Sequence, residues 1–174
     1  MEAARRIYDA KQYLGIDETP GLSLLELRSR CRRYHKEVGL DLVIIDYLQL
    51  MRPSGTKRYE SREREISEIS MGLKELAKEL RIPVLALSQL NRGPDSRPDK
   101  KPKISDLRES GSMEQDADMV WFVYRDEYYN PNSEMAGIAE LIFGKNRHGS
   151  QPTIQLAYQP NFVTFQNLVK EGYK

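Results

Sequence analysis

The chain has 174 residues, and 27 Lys and Arg against 26 Asp and Glu give it a formal net charge of +1 at pH 7. Its 39% hydrophobic and 30% charged residues are typical of one soluble globular domain. No apolar run approaches the ~20 residues needed to cross a bilayer, and residues 1–6 lack the apolar stretch of a secretory signal. The single cysteine excludes an internal disulfide, and two histidines argue against a His-rich metal site. We therefore expect a reducing, cytoplasmic setting without membrane contact.

The N-terminal part of the sequence predicts a short strand followed by an amphipathic helix. Residues 13–17 have a strand-like pattern, and apolar positions recur at helical spacing from residue 24 to residue 38. Ser23 precedes Glu26 by three residues, which predicts a capping box at the start of the helix. Gly39 is well placed to end it.

A strand–helix–strand unit is predicted over residues 40–88. Residues 40–48 and 82–88 are nearly continuous apolar runs, a pattern that predicts strands buried on both faces, as in a parallel sheet. Between them, apolar positions recur at helical spacing from residue 66 to residue 80 and predict an amphipathic helix. This order predicts a βαβ unit with a right-handed crossover.

The distal half predicts a third buried strand and a series of short strands. Residues 91–103 are rich in proline and charge and predict a mobile loop, followed by a short helix within residues 105–115. Residues 117–124 predict the buried strand, and a polar loop over 126–137 precedes short strands at 138–143, 153–157 and 162–166. We therefore predict a single α/β domain over residues 1–174, with a mostly parallel sheet, flanking helices and a C-terminal β-meander.

Two polar residues follow the predicted parallel strands. Asp46 comes after four apolar residues, a pattern typical of a Walker B strand, whose carboxylate holds Mg²⁺ through water beside a nucleotide. Gln89 follows the second strand, and its amide can donate to a phosphate oxygen or orient a water. Ligands bind outside the carboxyl ends of parallel strands, so both residues are candidates for one site. The alternative interpretation is that both are merely polar strand exits.

Three further segments carry groups that suit phosphate contacts. Residues 144–149 predict a tight turn containing Lys145 and Arg147, and the planar guanidinium fork suits the charge that develops on a γ-phosphate. Residues 107–112 combine a cation, hydroxyls and a glycine that lets the backbone approach a phosphate closely. Residues 52–65 form another basic segment. For each of the three, an ordinary surface loop is the alternative interpretation.

Five ordered motifs resemble those of one protein family. They are residues 41–51 (DLVIIDYLQLM), 87–92 (LSQLNR), 105–111 (SDLRESG), 114–118 (EQDAD) and 144–147 (GKNR). With them the chain is similar to the C-terminal part of bacterial replicative DNA helicases of the DnaB type, from about residue 13 to residue 168. The resemblance implies a RecA-like ATPase core in a ring-shaped homohexamer. Such an enzyme couples ATP hydrolysis to translocation on single-stranded DNA and to duplex unwinding in DNA replication.

The resemblance also implies roles in nucleotide handling. Asp46 corresponds to the Walker B aspartate, which holds Mg²⁺, most often through water. Gln89 corresponds to the glutamine that couples the γ-phosphate to the DNA-binding loops. Lys145 and Arg147 correspond to a basic pair that each subunit supplies to the nucleotide of its neighbour.

For DNA, the resemblance implies two channel loops. Arg108, Glu109 and Gly111 correspond to a loop that lines the central channel and contacts the DNA backbone. Lys57 and Arg58 lie in the segment that corresponds to the other channel loop. Primase and a helicase loader are the further partners that the resemblance implies.

The sequence departs from the family in one large respect, because it contains no G-x-x-x-x-G-K-[ST] phosphate loop. The family carries that loop, a catalytic glutamate and a primase-contacting domain upstream of the region seen here. We therefore expect ATP and Mg²⁺ to be cofactors of the whole enzyme and the isolated chain to be inactive. A sheet without its P-loop strand is also expected to expose an edge or an apolar surface. The alternatives are a truncated, non-catalytic paralogue that binds a helicase or DNA, and another RecA-like ATPase such as a recombinase.

Overall fold

Two β-sheets and the helices packed against them make up the fold. The computed structural model describes residues 14–52 and 61–168. The helices in those residues are α1 (Leu24–Glu37), α2 (Arg62–Leu80), α3 (Gly111–Asp116) and α4 (Asp126–Tyr129). The strands are β1 (Val43–Ile45), β2 (Val84–Ala86), β3 (Met119–Tyr124), β4 (Ile138–Asn146), β5 (Thr153–Gln159) and β6 (Thr164–Asn167). Short 3-10 turns occupy Leu48–Leu50, Pro94–Ser96, Ile104–Ser110 and Pro160–Phe162.

The start and end of α1 follow the local sequence signals. The Glu26 N–H donates to Ser23 Oγ at 3.3 Å, and the Ser23 N–H donates to the Glu26 carboxylate at 2.9 Å, so the capping box is confirmed. Gly39 follows the C-cap residue with a φ of +88°, a left-handed conformation that glycine adopts without strain.

The strand predicted over residues 13–17 is wrong for the residues that the structure describes, because residues 14–17 are in no strand; residue 13 lies outside the described residues. Asp17 explains the local conformation, since its carboxylate accepts a hydrogen bond from the Thr19 N–H at 3.0 Å and pairs with Arg30 of α1. The segment is therefore held to the surface of α1 by polar contacts. Ile16 remains 72% exposed.

The predicted strand–helix–strand unit is confirmed. Strands β1 and β2 are parallel, with Val43 opposite Val84 and Ile45 opposite Ala86, and α2 connects them along the chain. The Leu87 N–H donates to the Ile45 carbonyl at 2.9 Å, so the pairing continues to the carboxyl ends of both strands.

The remaining four strands form an antiparallel sheet in the order β3-β4-β5-β6. The third predicted strand is present as β3, but among the described residues it pairs with β4 and with no other strand. Strand β4 extends to Asn146, so the turn predicted over residues 144–149 is wrong in its first part. Gly144 and Lys145 lie in the strand, because Lys145 pairs with Val120 of β3.

One face of β1, β2 and β3 lies against a core to which α2 contributes most of the helical residues. We call this the covered face; its strand residues are Val43, Ile45, Val84, Ala86, Val120 and Phe122. They belong to the same core clusters as the apolar side of α2, of which Ile69 and Leu76 are 0% exposed. Helix α1 packs on α2 where Gly72 meets Leu24: a Cβ at Gly72 would lie 2.1 Å from Leu24 Cδ2, so this contact requires glycine.

The other face of the same strands is uncovered by the described residues. We call this the open face; its residues are Ile44, Leu85, Leu87, Met119, Trp121 and Val123, which are 40 to 62% exposed. They alternate with residues of the covered face, as successive side chains of a strand must. The prediction that these strands are buried on both faces is therefore wrong for the described residues, whereas the expected apolar surface is present.

Within residues 14–52 and 61–168, no helix combines the length and the apolar character needed to cross a bilayer.

Candidate functional site

Asp46 lies directly after β1, at the carboxyl end of the two-stranded parallel sheet. Its side chain is exposed and makes no hydrogen bond or ion pair with another residue of the described part of the chain. The carboxylate is therefore available for a ligand.

Gln89 lies at the same sheet edge, three residues after the end of β2, and its side chain is also exposed. Gln49, in the turn that follows Asp46, holds residues 88 and 89, which we call the chain exit because the chain leaves β2 there. Its Nε2 donates to Ser88 Oγ at 3.1 Å, and its Oε1 accepts from the Gln89 N–H at 3.3 Å. Sequence reasoning missed this positioning role of Gln49; the available signal was a polar residue three positions after Asp46, at the same strand end.

A single divalent cation fits the chemistry of this edge. Mg²⁺ keeps several waters and is held in proteins by one or two carboxylates together with substrate phosphates. Asp46 supplies one unengaged carboxylate, which suits that mode of binding. Within the described residues there is no cluster of three or more His, Cys, Asp or Glu side chains that could enclose a metal ion.

The basic pair occupies a different place. Lys145, on β4, donates to the carbonyl of Glu114 at 2.5 Å, and Arg147 donates to the carbonyl of Gln115 at 3.1 Å. Both carbonyls belong to the last turn of α3, where cations are favoured by the helix dipole. Arg147 also pairs with the Asp118 carboxylate at 2.9 Å. The pair is therefore anchored by its own chain.

Asp118 connects the basic pair to α2. Its carboxylate accepts a hydrogen bond from Lys74 in addition to the contact with Arg147. The Lys74 hydrogen bond, together with the nearby charges of Lys74 and Arg147, holds the pKa of Asp118 below its ordinary value. The carboxylate thus remains ionised at neutral pH and orients the Arg147 guanidinium.

Helix α2 contacts the sheet edge near Asp46 with its first turn and the surroundings of Arg147 with a later turn. Arg62, at its first turn, donates to the Gln49 carbonyl at 2.6 Å, next to the edge that carries Asp46 and Gln89. Lys74, twelve residues further along, contacts Asp118 beside Arg147. At ~1.5 Å per residue, the backbones of Arg62 and Lys74 are about 18 Å apart along the helix. The structure brings Asp46 and Gln89 to one edge and leaves Lys145 and Arg147 at another.

The predicted DNA-contacting residues are placed only in part. Arg108 and Glu109 belong to the 3-10 helix Ile104–Ser110, and Gly111 begins α3, so their backbone lies between the segment that follows Gln89 and the start of β3. Lys57 and Arg58 lie outside the described residues.

The fold places the chain in a class, the RecA-like helicase ATPase domains. The structure is similar to one solved ATPase domain of this class, with a TM-score of 0.80 and 46% identity, covering 86% of this chain and 52% of that one. It is also similar to a DnaB-like replicative helicase whose structure was described together with its interactions with primase, with a TM-score of 0.78, 45% identity and coverage of 86% and 36%.

Within that class, the chain belongs to the DnaB-like helicase C-terminal domain family, which matches residues 1–167. It is 52% identical to the replicative DNA helicase DnaB of Leifsonia xyli subsp. xyli over 163 residues, which are 94% of this chain and 35% of that protein. It is 52% identical to DnaB of Geobacillus stearothermophilus over 153 residues, which are 88% of this chain and 34% of that protein. The chain spans about a third of the length of the curated relatives it matches.

Proposed function

We propose that this chain is the distal part of the motor of a replicative DNA helicase, which couples ATP hydrolysis to translocation on single-stranded DNA and to duplex unwinding. One observation carries the proposal. Asp46 and Gln89 lie at one edge of the parallel sheet with exposed side chains, and Asp46 has no partner among the described residues. Such an edge suits Mg²⁺ and a nucleotide phosphate.

At this edge each residue has its own task. Asp46 would hold Mg²⁺, mostly through water, and the bound ion would supply positive charge beside the nucleotide phosphates. Gln89 donates its amide N–H to the γ-phosphate without adding charge. Gln49 restricts the backbone of Gln89, so loss or gain of the phosphate contact moves this chain exit as a unit.

The basic pair serves the nucleotide of a neighbouring subunit. The family resemblance assigns this role, and the contacts of the pair support it: Arg147 is held beside Asp118 and the end of α3, not at the sheet edge that carries Asp46. Arg147 stabilises charge on the transferring phosphoryl group, and Lys145 adds a point charge. The resemblance implies a homohexameric ring, and in such a ring each site would be completed by the next copy.

Single-stranded DNA, primase and a helicase loader are the further proposed partners, and the cytoplasm is the proposed location. Arg108, Glu109 and Gly111 contact the DNA backbone, with Lys57 and Arg58 in the second channel loop. A translocating motor has to ignore sequence, so we expect contacts to phosphates rather than to bases. The sequence contains no P-loop, so the isolated chain is expected to bind Mg-ATP weakly and to hydrolyse none.

A fusion protein tests the proposal. In it, this chain replaces the matching segment of the Geobacillus stearothermophilus relative, and we call it the fusion protein below. We expect DNA-stimulated ATP hydrolysis and strand separation, both lost on Asp46→Asn. The matched control is Asp41→Asn, a second exposed aspartate five residues earlier in the same motif. Activity that survives Asp46→Asn, or turnover by the isolated chain that Asp46→Asn abolishes, contradicts the proposal.

The same fusion protein tests the role of Arg147. An arginine finger contributes roughly 10³ to 10⁵ in rate, so Arg147→Ala should reduce steady-state ATP hydrolysis strongly while nucleotide still binds. Arg33→Ala, at an exposed position of α1, serves as the control. Near-normal hydrolysis by Arg147→Ala in an intact hexamer would leave Arg147 as a structural cap of α3.

A further inference from the structure

Asp106 is the buried charged residue of the described structure: only 4% of its side chain is exposed. It lies in the 3-10 helix Ile104–Ser110, two residues before Arg108. A buried carboxylate is costly unless it is paired and hydrogen-bonded. Its partners therefore reveal which part of the chain this helix is fastened to.

Those partners come from the segment that leaves β2. Arg97 donates through Nη1 and Nη2 to the two carboxylate oxygens of Asp106, at 2.8 and 2.6 Å, in the bidentate geometry specific to arginine. The Lys103 N–H donates to the same carboxylate at 2.7 Å. The backbone joins as well, since the Asn91 N–H donates to the Asp106 carbonyl at 3.1 Å.

Gly93 lies close to both side chains, so a larger residue there would have to displace one of them. A Cβ at Gly93 would lie 2.7 Å from Asn91 Oδ1 and 2.9 Å from Asp106 Oδ1. Asn91 Oδ1 accepts a hydrogen bond from the Gly93 N–H at 2.8 Å, which closes the turn just after Gln89. Residues 91–103, which the sequence predicts to be a mobile loop, are thus fastened to the next helix by polar contacts at both of their ends.

We propose that Arg97 and Asp106 are positioning residues that join the chain exit carrying Gln89 to the loop carrying Arg108 and Gly111. This inference rests on the proposed function. Asn91 is two residues after Gln89 and Asp106 is two residues before Arg108, so the path between the two sites is short. A shift of Gln89 on meeting a γ-phosphate moves Asn91 and Arg97, and the rigid bidentate pair carries the shift into the 3-10 helix.

The test measures how nucleotide changes DNA affinity in the fusion protein. Fluorescence anisotropy of a labelled oligo-dT, with and without a non-hydrolysable ATP analogue and Mg²⁺, gives a coupling factor, which for allosteric pairs is roughly 5- to 150-fold. Asp106→Asn keeps the size of the side chain and removes its charge. We expect it to bring the factor close to one, while affinity for DNA without nucleotide stays within about twofold.

Two further variants make the result decisive. Arg97→Lys retains the charge but loses the planar fork, and it should reduce the coupling factor as well; it decides the matter if Asp106→Asn does not assemble. Lys101→Gln is the control, because the Lys101 side chain pairs with Glu140 of β4 at 2.6 Å, whereas its backbone carbonyl, which accepts from Arg97, is unchanged by the substitution. It should retain the factor of the unmodified fusion protein.

Three results of this experiment would contradict the inference, and they can be told apart. A fusion protein whose DNA affinity does not respond to nucleotide overturns the proposed function and this inference together. A response that Gln89→Ala abolishes but Asp106→Asn and Arg97→Lys leave intact overturns only the link. Equal loss of DNA affinity with and without nucleotide in those variants also overturns it, because a merely structural role has that signature.

Discussion

The covered face and the open face are built from the same short strands, yet they differ in what lies against them. On the covered face, Phe122 is 4% exposed and packs in the cluster that contains Ile69 of α2. On the open face, its neighbours Trp121 and Val123 are 46% and 62% exposed. The two faces are about equally apolar. An apolar strand residue here therefore indicates a surface that is favourable to bury, and the described residues bury only one of the two faces.

The comparison with known structures agrees with this view. The chain covers 52% of the similar ATPase domain, so about half of that domain has no counterpart in this alignment. Parallel sheets are normally covered on both faces. We therefore expect the covered face to govern the stability of this chain and the open face to govern its association.

The largest effect should come from a matched pair of isoleucines. Ile69 is 0% exposed on α2 and Ile44 is 59% exposed on the open face. Ile69→Ala should lower the free energy of unfolding by about 2 to 5 kcal/mol, because it leaves a cavity in the core. Ile44→Ala should lower it by less than ~1 kcal/mol. Urea denaturation of both variants checks this, and equal effects would erase the difference between the faces.

Gly72→Ala should have the next largest effect, with a sign opposite to ordinary helix propensity. Alanine is favoured over glycine in a helix by about 1 kcal/mol. At Gly72, however, the new methyl group would meet Leu24 and push α1 away from α2, which should cost about 1 to 3 kcal/mol. Met71→Ala, at the exposed neighbouring position, is the control. A stabilised Gly72→Ala protein in thermal unfolding would disprove the close contact.

A change confined to the open face should alter association more than stability. The triple variant Ile44→Thr, Leu85→Thr and Val123→Thr keeps residues that suit strands while reducing the apolar surface. Light scattering should give a lower average mass than for the unmodified chain at the same concentration, with an unchanged far-ultraviolet circular dichroism spectrum. Leu25→Thr, at a 66% exposed position of α1, should leave the mass unchanged.

The smallest effect concerns acid stability at Asp118. Its pKa is lowered in the folded state, first by the Lys74 hydrogen bond, so its contribution is present at neutral pH and is lost as the pH falls through the lowered pKa. Asp118 is about half exposed, which limits the effect of Asp118→Asn at pH 7 to less than about 1 kcal/mol. Denaturation curves at several pH values should show the difference between the two proteins vanish in acid; a difference that persists there would mean that charge is not its source.

Local signals in the sequence predicted most of the elements. The Ser23–Glu26 capping box and the apolar spacing along α2 depend on neighbouring residues, and both are confirmed. The prediction that the strands are buried on both faces is wrong for the described residues. An apolar run indicates that both faces are favourable to bury, but it does not tell whether the same chain or another one covers them. The extension of β4 through Lys145 was missed, because pairing with Val120 depends on a distant strand.

For the candidate site, the sequence predicted the sheet edge but not what holds it together. Asp46 and Gln89 follow from strand ends, which are visible as changes from apolar to polar residues. Gln49 and the pair of Arg97 with Asp106 act across the chain, and a charged residue that will be buried looks the same in sequence as one that will be solvated. The roles of the site residues, including Lys145 and Arg147, stay predictions.

The proposed assignment of Arg147 to the nucleotide of a neighbouring copy has a consequence for the number of complete sites. A copy that gives Arg147 to one neighbour and receives it from another makes a head-to-tail contact, which closes into a ring only at a fixed rotation per copy. An open string of copies then always has one complete nucleotide site fewer than it has members. Ring closure completes the missing site. The rate of ATP hydrolysis per copy should therefore be lower in a population with open assemblies, in proportion to the number of contacts that are missing.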